Sequence, residues 1–505
     1  MSFVLLYAVK GDSIPGGASV DICFNVISQV LTSTDVCAAF PRLPLLVVSG
    51  LHIQLKCTVF QTNKIFFTFT CKARLEYITG KSETSIKQLS EKHMTELQQQ
   101  LIFILGRRLF GSDENTTIIK AGERLSAEDW EALLQEARKQ TVFSIVYAWV
   151  KENIPEKIPT EKREEYDQFA LIGLTTNIRN RFDHFELHRI LASQGIPYVI
   201  LKGMASARYY PEPAERAMGD VDFLVAEEQV ERVAALLEAD GFTKIHDTEK
   251  HEFHWAYQRD NTELELHWAP PGVPNENGDI VRTYLSDLLD QATQVEEADG
   301  TWVAPSTFHH GMILLLHTAS HLTSSGVGLR HLCDWLVFEN SLTDEKFQVM
   351  FEEPLKRCGL WSFAQTLSQI GVDWFGCSPR TWCAEADKDL CATLLEDILT
   401  GGNFGRKDAW RPKEMKLIRN VATRRIKTGN MWSNAAVSVW EKAKREYPFF
   451  RRVPVLLPIG FLMECVRYFV DVLSGRKKNV FRKSVLSAAE QRQQIYAKLQ
   501  LFEHD

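Results

Sequence analysis

Asp220 and Asp222 lie two residues apart within the apolar run Gly219-Asp220-Val221-Asp222-Phe223-Leu224-Val225. In a strand, successive side chains alternate, so both carboxylates point to one face. Like charges held side by side repel each other unless a cation stands between them. A hard divalent ion with oxygen ligands, Mg2+ above all, removes that cost. A bare D-x-D triplet also occurs on ordinary solvated strands. Here it has company: Lys202-Gly203 upstream, Gly219 leading in, and Glu263-Leu264-Glu265-Leu266-His267-Trp268 downstream. In that later stretch Glu263, Glu265 and His267 alternate with Leu264, Leu266 and Trp268, which makes one face polar and the other apolar. If the two strands pair, Glu265 completes a three-carboxylate cluster, with Glu263 on the same face as second choice.

The remaining residues of this stretch suit phosphate. Gly203 and Gly219 lack a Cβ, so backbone there can approach a phosphate closely. Lys202 or Arg216 can contact triphosphate oxygens, the arginine through its bidentate fork. His267 can orient a carboxylate or a water, or serve as a structural polar residue of its strand. No G-x-x-x-x-G-K-[ST] run is present, which argues against a P-loop enzyme.

Lys202-Gly203, Tyr209-Tyr210, Arg216, Gly219-Asp220-Val221-Asp222 and Glu265-Leu266-His267-Trp268 together resemble the nucleotidyltransferase superfamily. Within it, the chain looks most like a large bacterial branch that carries this Lys-Gly, Gly-Asp-x-Asp and Glu-x-His-Trp pattern. The resemblance runs from about residue 95 into the C-terminal helices and is most specific between 197 and 268. It implies an α+β fold, with a small mixed-sheet nucleotidyltransferase core between a helical N-terminal segment and a mostly helical C-terminal domain. It also implies Mg2+-dependent transfer of a nucleoside monophosphate from a nucleoside triphosphate to an acceptor. Asp220, Asp222 and Glu265 would hold a two-ion site, and Lys202, Gly203, Arg216 and Gly219 would hold the nucleotide. One departure stands out. The superfamily usually has Gly-Ser where this chain has Gly203-Met204, so no serine hydroxyl is offered to a phosphate there. A degenerate member that binds a nucleotide or a partner without catalysis is the alternative.

Those residues need a scaffold. The short apolar run Tyr198 to Leu201 reads as a buried strand between Pro197 and Gly203. Met204 to Tyr210 can form two helical turns before Pro211 and Pro213. Glu227 to Asp240 is an amphipathic helix closed by Gly241. Short strands are expected at 242–245, 253–258 and 263–268. Upstream, a helix opens at Ser126, Pro residues break the chain over 154–159, and a long helix spans 164–194. Arg179, Arg181, His184 and His188 on that long helix read as a solvated or cleft-side face.

Downstream the chain is helical. Phe308 to Leu322 carries His309, His310, His317 and His321, and the last two share a helix face by their spacing. They can bind a metal together, which leaves open a histidine-based metal hydrolase, but without H-E-x-x-H a zincin-type protease lacks its base. The branch also tends to carry an Arg-x-x-x-Asp here, matched by Arg330 and Asp334. His267, His317, His321, Arg330 and Asp334 are assigned to the acceptor side of the cleft, which the histidine-bearing helix lines unless it buries a polar network instead.

Composition bounds the rest. The 505 residues are 45% hydrophobic and 24% charged, which fits a globular protein of two or three domains. A net charge of -7 makes no general case for nucleic acid. The ten cysteines have no paired C-x-x-C spacing, so a reducing cytoplasm is the simplest setting. The start lacks the marks of a signal peptide. Residues 1–93 read either as a β-rich appendage, with strands at 45–48 and 64–70, or as upstream sequence before a true start at Met94. The expected divisions after it are 94–164, 165–270, 271–400 and 401–505. In the last of these, basic residues flank the apolar stretch 453–473, which Glu464, Arg467 and Asp471 interrupt. That pattern suits a helix packed on the core, or a peripheral membrane contact through 440–485.

Overall fold

The computed structural model describes residues 20–27, 66–73, 94–111, 125–245, 253–274, 278–403, 419–420, 425–426, 431–447, 457–474 and 483–503. The chain divides into two compact units, Met1–His93 and Met94–Asp505. In the first, β1 (Val20–Ile27) and β2 (Phe66–Ala73) pair antiparallel, with Val20 opposite Ala73. The strand expected at 45–48 lies outside the described residues.

The second unit opens with three helices: α1 (Glu96–Phe110), α2 (Ala127–Lys139) and α3 (Phe143–Asn153). Two of them start with capping boxes. Thr95 and Gln98 exchange side-chain and backbone hydrogen bonds at α1, and Ser126 and Asp129 do so at α2. These pairs satisfy donors that the first turn leaves open. The Pro-punctuated break then leads into α4 (Arg163–Ala192).

The sheet follows. In chain order come β3 (Tyr198–Ile200), the single turn α5 (Met204–Ala207), β4 (Val221–Val225), α6 (Val230–Ala239), β5 (Thr243–Lys244), β6 (His254–Arg259) and β7 (Thr262–His267). The strand order is β3-β4-β7-β6-β5, and only the β4–β7 pair is parallel. The fold is α+β with a small mixed sheet. Helix α5 is shorter than the two turns expected, because the chain turns off through Tyr210 N–H donating to the Ala207 carbonyl.

Alternation along the strands decides what faces what. Val221, Phe223 and Val225 join Leu264 and Leu266 in a core with Leu187, Ile190 and Leu191 of α4 and Val230, Val233 and Leu237 of α6. Asp222 and Glu265 therefore occupy the opposite face. On that face Leu224 packs with Val199, Leu201 and Ile313.

Ile313 belongs to the helical part, which contains α7 (Asp279–Tyr284), the hairpin β8 (Thr293–Glu297) and β9 (Gly300–Ala304), then α8 (Thr307–Leu322), α9 (Leu329–Asn340), α10 (Asp344–Arg357), α11 (Trp361–Ile370) and α12 (Lys388–Gly401). Helices α13 (Met431–Glu446), α14 (Leu457–Leu473) and α15 (Lys483–Lys498) complete the order. One hydrophobic cluster joins Leu101, Trp130 and Val146 of the first helices to Leu315, Trp335, Phe351, Leu367 and Leu395 of the later ones, and to Tyr496 of α15. Residues before and after the sheet in sequence thus share a core. Helix α14 buries Glu464, which Lys442 and the Tyr447 hydroxyl hold, and exposes Ile459, Leu462, Met463, Val466 and Val470. Among the described residues, no helix is long and apolar enough to cross a membrane.

Candidate active site

The parallel pairing sets the geometry. In the β4–β7 register Asp222 lies beside Glu265 and Leu224 beside His267. His267 Nε2 is 3.2 Å from Asp222 Oδ1 and 3.2 Å from Glu265 Oε2. Asp222, Glu265 and His267 each offer a ligand atom, and all three atoms lie within 4.8 Å of one another. Asp220 sits just before β4, half-buried, and Glu263 is exposed. Asp220 is not in the tight group, but its charge acts on Glu265 and on Lys202.

Lys202 is delivered by β3. The Leu201 N–H donates to the Asp222 carbonyl over 2.8 Å, which extends the β3–β4 ladder past Ile200. The next side chain then reaches Asp222, with Lys202 Nζ 2.7 Å from Oδ1. Asp222 is 1% exposed, so this ammonium answers a charge that water cannot reach. Burial works against the charge on Lys202, but Asp222, Asp220 and Glu265 raise its pKa above the usual lysine value. His267 follows the same logic: burial lowers its pKa, yet hydrogen bonds with Asp222 and Glu265 leave it raised. Burial and Asp220 push Glu265 up, but His267 and Lys202 prevail and bring it down to about 2.

Gly203 follows with φ +61° and ψ −117°, a conformation that side-chain-bearing residues rarely adopt. A Cβ there would stand 3.1 Å from His184 Nε2. His184 comes from α4 and is completely buried, contrary to the solvated or cleft-side face expected from its position. It lies inside because the α4 face bearing Asn177, Asn180 and His184 packs under the site loops. His184 Nδ1 is 2.6 Å from the Asn180 carbonyl, and burial brings the ring down to about 4, so it is neutral. Its Nδ1–H donates to that carbonyl, and Nε2 faces Gly203.

The same helix clamps the loop ahead of Asp220. Asn177 donates to the carbonyls of Ala214 and Arg216 and accepts from Met218 N–H, while Asn180 donates to the Gly219 carbonyl over 2.7 Å. Sequence reasoning missed both asparagines. Their spacing with His184, three and four residues along one helix face, was the available signal.

Arg216 differs from its expected role. Its fork closes on Asp334 of α9, with Nε donating to Oδ1 at 2.7 Å and Nη2 to Oδ2 at 2.8 Å. The Tyr210 hydroxyl donates to the same Oδ1 at 2.7 Å. Arg216 is 4% exposed and Asp334 6%. The pair ties the loop of the sheet to the helical part, and that fork is engaged with protein rather than turned to the carboxylates. A Cβ on Gly219 would meet no atom within 4 Å, so the space beside it is open. Arg330 reaches toward the Ala217 carbonyl at 3.4 Å.

The histidines of α8 meet this site through Lys202, whose Nζ lies 3.4 Å from His317 Nε2. His317 and His321 face each other with Nε2 atoms 2.9 Å apart. His331 of α9, absent from the sequence-based set, joins them. The other histidines of α8 are engaged elsewhere: His309 with Ser306 and Asp287, and His310 stacked on Tyr209.

No curated protein and no solved structure matches the chain significantly. Residues 126–376 match the model of a family described as uncharacterised nucleotidyltransferase, a span that contains α2 through α11, the whole sheet and both side-chain clusters. By that match the chain belongs to the nucleotidyltransferase superfamily.

Proposed function

We propose that the protein is a Mg2+-dependent nucleotidyltransferase that moves a nucleoside monophosphate from a nucleoside triphosphate to an acceptor, a sugar, peptide, protein or small molecule. The observation that carries this reading is the parallel β4–β7 register, which sets Asp222 beside Glu265 with Lys202 paired to Asp222. The donor set fits a hard cation: oxygen ligands on a buried face, neutralised in this structure by an ammonium and an imidazole. Asp220, Asp222 and Glu265 would hold the ions. When bound, Mg2+ would offset charge on the phosphates and help align nucleophile and leaving group.

The chain's own residues do the rest. Lys202 is placed to turn from Asp222 to a triphosphate oxygen once a dication takes over the carboxylate. Gly203 and Gly219 let backbone approach the phosphates. His267 orients both carboxylates, and Asn177, Asn180 and the Arg216–Asp334 pair fix the loop that carries Asp220. In the reaction the acceptor's lone pair forms a bond to the α-phosphorus as the α–β anhydride bond breaks. Pyrophosphate leaves with the electron pair, and the acceptor's proton departs to solvent. Holding these groups in line in a site with fixed charges lowers the barrier.

A second reading has its own support: Met204 offers no hydroxyl, and Lys202 already neutralises Asp222, as in a nucleotide-binding protein without transferase activity. One experiment separates the two. Pyrophosphate release is measured for each of the four common nucleoside triphosphates with Mg2+ across a panel of sugar, peptide and protein acceptors. Release that Asp222→Asn abolishes supports transfer, and tight binding without release across the panel supports the degenerate reading. Any peripheral membrane contact in the 440–485 region would use the exposed apolar face of α14.

A further inference from the structure

Helix α8 turns into α9 through the loop at 323–328, where Gly326 has φ +115° and a Cβ on Gly328 would collide with Asn403. That tight hairpin brings His331, the third residue of α9, back against His317 and His321. The ring centroids are 4.3 Å apart for His317 and His321, 5.6 Å for His317 and His331, and 5.3 Å for His321 and His331. One ring nitrogen from each histidine lies within 4.8 Å of the other two. Three imidazole nitrogens this close together offer the donor set of a borderline dication such as Zn2+, and a hard ion such as Mg2+ prefers oxygen.

The surroundings favour ligation. His321 Nδ1 is 3.1 Å from Ser325 Oγ, a contact that orients the ring and leaves Nε2 pointing at His317. His317 Nε2 faces it, 2.9 Å from His321 Nε2 and 3.4 Å from Lys202 Nζ. His317 and His321 are half-buried while His331 is buried, so the cluster is supported from behind and reachable from one side. Three protein ligands leave a fourth position for water or for an oxygen of a bound molecule, the pattern of reactive rather than purely structural zinc sites.

We propose that His317, His321 and His331 form a site for a Zn2+-class transition-metal ion, separate from the carboxylate cluster and joined to it through Lys202.

The test uses the full chain after chelation and dialysis. Co2+, which absorbs visibly when bound by nitrogen ligands in a four-coordinate site, is titrated and followed by absorption and calorimetry. The proposal expects one Co2+ per chain with that absorption, displaced by Zn2+. His321→Gln and His331→Gln should each weaken binding by at least about 100-fold, and Asp220→Ala/Asp222→Ala should retain it. Melting curves establish that each variant is folded, and the wild-type stoichiometry is a reading independent of any variant. No stoichiometric Co2+, binding that survives both histidine changes, or binding lost with the aspartates would overturn the site. Because no nucleotide is present, this outcome is independent of whether the carboxylates carry out nucleotidyl transfer.

Discussion

Two clusters meet at Lys202, and they are built by different means. The carboxylates stand on neighbouring strands, where backbone register alone puts Asp222 beside Glu265. The histidines stand on two helices, where only the packing of a hairpin brings His331 to the pair on α8. One cluster offers oxygen and carries charge that buried cations must answer; the other offers nitrogen beside a positive neighbour. Lys202 touches both, at 2.7 Å from Asp222 and 3.4 Å from His317. The difference teaches that a site fixed by strand register can be read from alternation, whereas one fixed by helix packing cannot.

The largest expected effect concerns the strut that holds the two regions in place. Arg216→Met would leave the buried Asp334 carboxylate without its guanidinium and should cost about 3–5 kcal/mol of stability. Arg216→Met/Asp334→Leu, which removes both charges, should recover most of it. Denaturant unfolding of the wild type and both variants checks this. An equal loss in the single and double variants would mean that the pair is not the strut.

Acid stability sharpens the comparison next. Glu265 has a folded pKa of about 2, below its ordinary 4.5, so its contribution is fully present above the ordinary value and is lost as pH falls from there toward 2. The size is roughly 3 kcal/mol at most, since each tenfold change in proton affinity is worth about 1.4 kcal/mol. His267 runs the other way: its raised pKa stabilises at low pH, and that part is lost as pH rises through the folded value. Between pH 5 and pH 3 the wild type should therefore lose more stability than Glu265→Gln. Parallel pH profiles would contradict the charge arrangement at the carboxylates.

The smallest effect has opposite signs in the two regions. Lys202→Met removes a positive charge that stands beside both. Binding of Mg2+–nucleoside triphosphate should weaken by roughly tenfold, and Co2+ affinity at the histidines should rise by a similar factor, as expected for a nearby like charge. Calorimetry of the two ligands on one variant reads both signs. Changes in the same direction would break the picture of Lys202 as the shared element.

Much of the sheet was legible because period-two alternation is local. Glu263, Glu265 and His267 announced their common face, and the apolar partners announced the core side. Pairing with β4 was the condition for a cluster, and its parallel direction is set by the fold rather than by any local pattern. The fate of Arg216 was not legible, since its partner lies 118 residues away on a helix whose packing no local pattern specifies. His184 was misread for a related reason. A polar residue on a long amphipathic helix looks solvated until the loop that covers it, here the Gly203 turn, is in place. His331 escaped because its spacing from His321 crosses a turn. Only Gly326 and Gly328 hinted that the two helices fold back on each other.

The central claim is that the carboxylate cluster, not the histidine cluster, holds Mg2+ and the nucleotide. The most direct measurement is calorimetric titration of each of the four nucleoside triphosphates, with and without Mg2+, into wild type, Asp220→Ala/Asp222→Ala and His321→Gln. The account predicts Mg2+-dependent binding of at least one nucleotide, lost by on the order of 10³-fold in the aspartate variant and kept in the histidine variant. Equal binding by wild type and the aspartate variant, or no binding to any nucleotide, would contradict it.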